Sequence, residues 1–329
     1  MNPPGSEQAS PTVLIVIVNY RTAGLVVDCL ASLESQVLAH PGARVVVTDN
    51  KSPDDSAARL EAAIRDRGWG DWVEFRPLAT NDGFAAGNNA AILPAMAAPE
   101  PPRYVWLLNP DTVARPDALA GLVRFMESRP DVGIAGSRLE DPDGTRQRSA
   151  FRYPSILGEL DLGARFWPLH KFLARWTDHP TVGDEPQEVD WVSGASLFIR
   201  REVIEAIGLL DAGFFMYYEE VDFCLRSLRA GWPSWYVPAS RVVHLVGASS
   251  GSFNKANEAK RLPGYWFEAR RRYFVRNHGR FRARLADLAW TFGALSFRAR
   301  NLIQRKSDPI PEKQFRDFLR HNFLPARPR

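Results

Sequence analysis

Three stretches of this chain carry residues that could do chemistry together. The first is Leu107–Leu108–Asn109–Pro110–Asp111, which follows the apolar run Tyr104–Val105–Trp106. That run reads as a buried strand. A strand ending in Asn-Pro-Asp puts a polar tip at the carboxyl edge of a sheet, where open α/β sheets bind ligands. Asp111 offers a hard oxygen to a divalent cation, and a cation there could hold a diphosphate. Read by itself, Asn-Pro is also an ordinary turn starter.

The second stretch is Met216–Tyr217–Tyr218–Glu219–Glu220–Val221–Asp222. Three carboxylates at the start of a helix repel one another, so one pKa rises unless a cation or donors intervene. Such a group suits general-base work. Acids also complement a helix dipole. That account fits exposed acids better than acids beside Phe214, Phe215, Tyr217 and Tyr218. The third stretch is Val243–His244–Leu245, where a histidine closes a late strand. A strand-end histidine is often structural, but with Asp111 it would complete a mixed oxygen and nitrogen metal site.

Alternating elements must position these groups. Val13–Val18, Arg44–Val47, Trp72–Phe75, Tyr104–Leu108 and Val132–Gly136 read as strands. Amphipathic helices fall between them, over about 24–36, 54–65, 84–97 and 116–128. The alternation predicts an α/β fold with a parallel sheet and right-handed crossovers. Strand one ends in Asn19–Tyr20 and strand two in Asp49–Asn50, at the same edge as Asn109 and Asp111. Asp49 suits hydrogen bonds from a ribose or a base imide; it equally suits a helix N-cap. Asn81–Asp82–Gly83–Phe84–Ala85–Ala86–Gly87–Asn88–Asn89 lets backbone approach a ligand ahead of a helix N-terminus. It is neither a Walker A loop nor the dinucleotide fingerprint. Residues 152–187 read as an irregular, partly helical insertion. A helix is expected over 219–230 and short strands over 234–237 and 241–245.

The chain has 329 residues and a formal net charge of +4. From Lys255 onward there are 19 Lys and Arg against 6 Asp and Glu, whereas the preceding residues carry 23 against 32. An acidic body with a basic end points that end at something anionic. Its acidic body argues against a nucleic-acid-binding protein. Cys29 and Cys224 are too few for a disulfide framework. The first eleven residues lack the basic start and apolar core of a signal peptide and read as a disordered tail. No stretch reaches the roughly 20 apolar residues of a membrane span. The two cysteines lead to the expectation of a reduced, cytoplasmic setting.

In order along the chain, Ile17–Tyr20, Asp49–Asp54, Asn81–Asn89, Leu107–Asp111, Trp191–Ala195, Tyr218–Arg226 and His244–Ser250 resemble the motifs of family 2 glycosyltransferases, especially their rhamnosyltransferase-like branch. The resemblance covers about residues 12–250. It implies a GT-A fold over 12–254, a Rossmann-like nucleotide-binding sheet fused to an acceptor-binding half, followed by a mostly helical region over 255–329. It places Asn19, Tyr20 and Asp49 around the nucleoside. Asn81, Gly83, Phe84 and Asn88 would flank the nucleotide-sugar, and Ser193 and Gly194 would border donor sugar and acceptor. Asn109–Pro110–Asp111 looks like the family's DxD motif, with Asn109 replacing the first acid. Asp111 would bind Mg²⁺ or Mn²⁺, joined by His244. Glu220 matches the catalytic base, with Glu219 and Asp222 in the same acidic group; many relatives carry Asp in place of Glu220.

The implied activity is an inverting transfer of a sugar, L-rhamnose from dTDP-rhamnose in this branch. The implied acceptor is a hydroxyl of a cell-envelope glycan or a polyprenyl-diphosphate-linked glycan. A second copy of the chain is a further candidate partner. The competing readings are a nucleotidyltransferase acting on sugar phosphates and an inactive glycan- or nucleotide-binding scaffold. The first would show a basic Gly-rich loop after strand one, which Asn19–Tyr20–Arg21–Thr22 is not. Aromatic and basic residues mix over 260–279 and again over 280–306. Both segments suit helices lying on the inner face of the cell membrane, or aromatic faces packed on the body with arginines in solvent.

Overall fold

Seven consecutive buried residues form the first strand, β1 (Val13–Asn19). A strand buried on both faces needs cover on both sides. Val13, Ile15 and Ile17 join one core cluster, together with Val26, Leu30, Leu33, Leu119 and Leu122. Leu14 and Val16 join the other, with Ala91, Ile92, Val203, Ile204 and Phe223. The two-residue period of the strand therefore divides one apolar run between two helical layers.

The computed structural model describes residues 12–177, 180–245, 261–305 and 313–324. After β1 come α1 (Ala23–Leu38), β2 (Ala43–Asp49), α2 (Ser56–Asp66), β3 (Val73–Pro77), α3 (Phe84–Met96) and β4 (Tyr104–Leu108). Next are β5 (Thr112–Ala114), α4 (Ala118–Ser128), β6 (Ile134–Glu140), β7 (Ala150–Phe151), α5 (Ile156–Ala164), α6 (Trp167–Thr177), β8 (Gln187–Val189) and β9 (Trp191–Val192). The remainder comprises β10 (Ser196–Arg200), α7 (Arg201–Ile207), α8 (Glu219–Arg229), β11 (Ser234–His244), α9 (Gly264–Ile303) and α10 (Gln314–Phe323).

The main sheet has the order β3-β2-β1-β4-β10-β6-β11-β5, with β8 beside β11. The first four strands are parallel, as expected. The wholly parallel sheet is corrected beyond them, because β10 runs antiparallel to both β4 and β6. No helix carries the chain across before β10. It arrives from β9 at the edge where β4 ends, so it can only run back. The two late strands expected over 234–245 are one strand, β11, whose register with β6 shifts between Val237 and Arg241. Pro238 lies within that irregularity, where a missing backbone donor is tolerated. The insertion over 152–187 resolves into α5 and α6.

The first half of α9 is packed rather than laid on a membrane. Phe267, Tyr273 and Phe274 are buried, so the packing alternative holds for that segment. Gly279, at φ 81° and ψ 162°, breaks the helix. Helices α5 and α9 meet closely at Gly163 and Gly293, where a methyl group on either would come within 2.4 to 2.6 Å of backbone atoms. Arg270 is fully buried and bridges Glu159 (2.9 Å) and Asp287 (2.7 Å). The expected boundary at residues 254 and 255, and the tail over 1–11, lie outside the described residues. Removing one partner of a buried pair leaves an uncompensated charge, which costs about 3–5 kcal/mol. Arg270→Met should therefore lower the unfolding free energy by about that amount in a urea titration, because it strands two buried carboxylates.

Candidate active site

The carboxyl ends of β1 and β2 are joined by a buried polar network. Asn19 donates to Asp49 Oδ1 (2.6 Å), and the Ser52 hydroxyl donates to the same oxygen (2.6 Å). The Ser52 backbone N–H donates to Asp49 Oδ2 (2.9 Å). Asp49 thus closes a turn onto Ser52; α2 starts only at Ser56, so Asp49 is not its N-cap. Tyr20 stands exposed at the rim. Arg21 and Lys51, one after each strand end, both have positive φ. Residues held in that region cluster at functional edges.

The glycine-rich turn lies against this network. Asn50 donates to the Gly83 carbonyl (3.0 Å), Asn81 accepts from the Gly83 N–H (3.2 Å), and Asn88 donates to the Phe84 carbonyl (2.9 Å). Gly83 has φ +92°, and a Cβ there would lie 2.0 Å from the Phe215 carbonyl oxygen. The Phe84 N–H donates to that same oxygen (2.7 Å). Only glycine fits both demands. The turn is therefore bonded directly to the loop that leads into Glu219 and Glu220.

Asp111 and His244 come together through strand pairing. β5 and β11 run antiparallel with Thr112 opposite His244, and the Leu245 N–H donates to the Asp111 carbonyl (2.9 Å). His244 Nε2 lies 3.6 Å from Asp111 Oδ1, and Asp111 is buried. Burial lowers the His244 pKa, although the Asp111 charge opposes this, so the ring favours the neutral form that ligates metals. Among the described residues no group of three or more His, Cys, Asp and Glu converges. Two protein donors, one hard oxygen and one imidazole, could hold a divalent cation only if other oxygen ligands completed its coordination.

The acidic group approaches from the other side. The Asn109 N–H donates to the Ala195 carbonyl (3.1 Å). A Cβ on the adjacent Gly194 would lie 3.6 to 3.8 Å from Glu220 Cβ, Cγ and Cδ, ordinary contact distance. The Gly194 backbone thus faces the Glu220 side chain beside the Asn109–Asp111 strand end. Glu219 is buried and Glu220 half-buried, and each has one carboxylate oxygen buried with no hydrogen-bond partner. Burial pushes the Glu220 pKa up to about 7. Glu219 is pushed well above the ordinary carboxylate range, first by burial and then by the Glu220 charge.

Asp222 does not join them. It is fully buried, accepting from Arg226 Nε (2.8 Å) and Asn277 Nδ2 (2.7 Å). The expectation of three mutually repelling acids is corrected to two, because an arginine one helical turn on neutralises the third.

Sequence reasoning missed several parts of this edge. Tyr217 and Tyr218, immediately before Glu219, have φ of 72° and 69°. Two consecutive left-handed tyrosines need outside support. It comes from α9, through Tyr265 on Tyr217 and through Trp266 and Tyr273 on Tyr218. A cavity of 530 Å³ begins at Tyr218 and Trp191 and runs to α5 and α6; Arg148, Arg152 and Trp176 also line it. A larger cavity, 870 Å³, is lined by Val13, Leu14, Arg44 and Val46. That is the amino end of the strands, opposite Asn19, Asp49 and Asn109, so it is not the site.

Residues 11–274 match the family described as glycosyltransferase like family 2. This chain belongs to that family. It is 33% identical over 189 residues to the N-acetylglucosaminyl-diphospho-decaprenol L-rhamnosyltransferase of Mycobacterium tuberculosis, covering 54% of this chain and 61% of that protein. It is 28% identical over 180 residues to the rhamnosyltransferase WbbL of Escherichia coli, covering 52% and 64%. The chain thus spans less than two thirds of the length of these relatives. Among solved structures, the mannosyltransferase PcManGT of Pyrobaculum calidifontis, in complex with GDP-Man and Mn²⁺, superposes with a TM-score of 0.53 at 17% identity. That match covers 92% of this chain and 78% of the other. GalNAc-T7 with UDP, GalNAc and Mn²⁺ gives 0.52 at 16% identity, covering 72% and 44%. The chain has the GT-A fold that the resemblance of its motifs implies.

Because Glu220 is more acidic unfolded than folded, folding favours its protonated form, and its contribution to stability is lost as pH rises from about 4.5 through about 7. Glu220→Gln should therefore be more stable than the natural protein at pH 8. The difference should vanish toward pH 4, as read from urea midpoints at both pH values.

Proposed function

We propose that this protein is an inverting, metal-dependent glycosyltransferase that moves L-rhamnose from dTDP-rhamnose to a hydroxyl of a polyprenyl-diphosphate-linked glycan. One observation carries the reading: the Glu220 side chain lies at contact distance from where a Cβ on Gly194 would stand, and the neighbouring Ala195 carbonyl accepts from the Asn109 N–H at the strand end that leads to Asp111. In this reading the proton acceptor and the cation ligand face one cleft between them. The rhamnosyl donor is supported by the names of the relatives, among them a dTDP-rhamnosyl transferase of Shigella flexneri, 29% identical over 99 residues. The lipid-linked acceptor is supported by the name of the mycobacterial relative and by the cavity beside Tyr218, whose Arg148 and Arg152 suit a diphosphate.

In this reading Asp111 and His244 hold Mg²⁺ or Mn²⁺. The bound cation would neutralise the donor diphosphate and take up charge on the leaving nucleotide. Asn19, Tyr20 and Asp49 border the nucleoside, and the Asn81–Asn89 turn with Ser193 and Gly194 borders the sugar. Glu220 Oε accepts the proton of the acceptor hydroxyl as that oxygen attacks the anomeric carbon opposite the diphosphate. A single displacement inverts the centre, so a β-L-rhamnosyl donor yields an α-linked product. Glu219, buried more deeply, has its carboxyl pushed well above the ordinary range by burial and by the Glu220 charge, which favours Glu220 as the base. Residues 12–254 would form the transferase domain and 255–329 its helical extension. The reaction would take place at the inner face of the cell membrane, where such acceptors are held.

Incubation with a panel of nucleotide-sugars, with and without EDTA, tests the reading; metal-dependent release of dTDP from dTDP-rhamnose alone is the expected outcome. Glu220→Gln should reduce kcat by about 10²–10⁴-fold while leaving donor affinity within a few-fold. Asp111→Ala should abolish both turnover and the metal dependence of donor binding. With the natural protein, log kcat/KM should rise with pH and level off above about 7, the Glu220 pKa. Release of dTDP at the natural rate by Glu220→Gln would remove Glu220 from its role.

A further inference from the structure

Beyond Gly279, α9 shows two opposed apolar faces. One is buried on the body through Ala283, Ala286, Trp290, Gly293, Ala294 and Phe297. The other is exposed: Phe281, Leu285, Leu288, Phe292, Leu295 and Leu302. Their spacing of four, three, four, three and seven residues keeps them on one line. At 1.5 Å per residue the line is about 32 Å long. Phe281 is 75%, Phe292 70% and Leu302 82% exposed. A continuous apolar line of this length on an otherwise charged surface calls for a partner.

The charges on either side indicate what that partner is. Six arginines lie between residues 280 and 305, against one acid, Asp287. That acid is buried on Arg270. At about 100° per residue, Arg280, Arg284 and Arg298 fall to one side of the apolar line, and Arg282 and Arg300 to the other. The apolar surface continues onto α6, because the Arg300 guanidinium lies 4.6 Å over the Phe166 ring. Trp167, Phe172 and Trp176 are exposed there. Helix α6 adds Lys171 and Arg175 and contains no acid. A second copy of this chain, packed on the face, would set arginines against arginines with no carboxylate to answer them. An anionic surface answers every one.

We propose that the exposed face of α9 after Gly279, together with α6, docks flat on an anionic lipid bilayer. Phe281, Leu285, Leu288, Phe292 and Leu295 enter the acyl boundary. The flanking arginines reach lipid phosphates, which their planar guanidinium groups bind in pairs of hydrogen bonds. No described helix is long and apolar enough to cross a membrane, so the contact is in-plane. The docking does not depend on the transfer chemistry. It gives that chemistry a location, because the 530 Å³ cavity beside Tyr218 is also lined by Leu162 and Trp176, from the two helices next to this face.

Co-sedimentation of the full chain with vesicles of phosphatidylcholine alone, or with added phosphatidylglycerol, tests the proposal. Binding should require the anionic lipid and weaken as salt is raised. Each arginine near an anionic surface is worth about a fivefold change in partitioning. Arg280→Glu with Arg282→Glu should therefore weaken binding by at least about tenfold. Phe281→Ser with Phe292→Ser and Leu295→Ser should abolish it at any salt. Unchanged circular dichroism would show that these variants fold, since all five side chains are exposed. Natural protein that ignores anionic vesicles at low salt overturns the proposal. So does a dimer, measured by sedimentation velocity, that the triple variant dissociates while vesicle binding persists. Failure here, with metal-dependent transfer to a water-soluble acceptor intact, would leave the proposed function standing.

Discussion

The structure depends on one return of the chain. β10 begins where β4 ends, and the Asn109 N–H is bonded to the Ala195 carbonyl across that junction. A crossover helix at this point would have made β10 parallel and sent Ser193 and Gly194 to the far end of the sheet. The antiparallel return instead sets them beside Asn109. Glu220 then needs only to contact Gly194 to face the Asp111 strand end. The antiparallel pairing of β5 with β11 does the same for His244. Two short reversals in a mixed sheet thus gather residues from 84 to 133 positions apart.

The acids at the head of α8 show how burial assigns roles to neighbours. Asp222 faces Arg226 and Asn277 and becomes a structural anchor. Glu219 and Glu220 have no such donors on one oxygen each. Desolvation then governs them, and the Glu220 pKa is raised to about 7, which makes its ionised form a stronger base than an exposed carboxylate. The cost of two underpaired carboxylates and two left-handed tyrosines is met from α9. Arg272 grips Asp211 with two hydrogen bonds, Tyr265 packs on Tyr217, and Asn277 holds Asp222. The first half of α9 is a strut for the loop that carries Glu219 and Glu220.

That strut is also where the sequence was hardest to read. Strands β1, β2 and β4 were legible because their apolar runs need no partner to be recognised. Asn19, Asp49, Asn109 and Asp111 followed as polar tips at one edge. Ser196–Arg200 is just as apolar, but its direction is set by which edge the chain enters from, and no local signal records that. β5 is three residues long and exists only through its pairing with β11. The packing of Tyr265 and Trp266 against Tyr217 and Tyr218 spans nearly fifty residues, so aromatic and basic composition alone could not separate the packed half of α9 from the exposed half. The pairing of Asp222 with Arg226, one helical turn apart, is carried by the i, i+4 spacing itself.

The bond from Phe84 N–H to the Phe215 carbonyl, with Gly83 pressed against the same atom, leaves no slack between two loops over 130 residues apart. Neither loop can drift alone. A lineage that inserted a residue between Asp211 and Tyr217 would have to rebuild the Asn81–Phe84 turn in the same step, so the two segments are bound to change together or not at all.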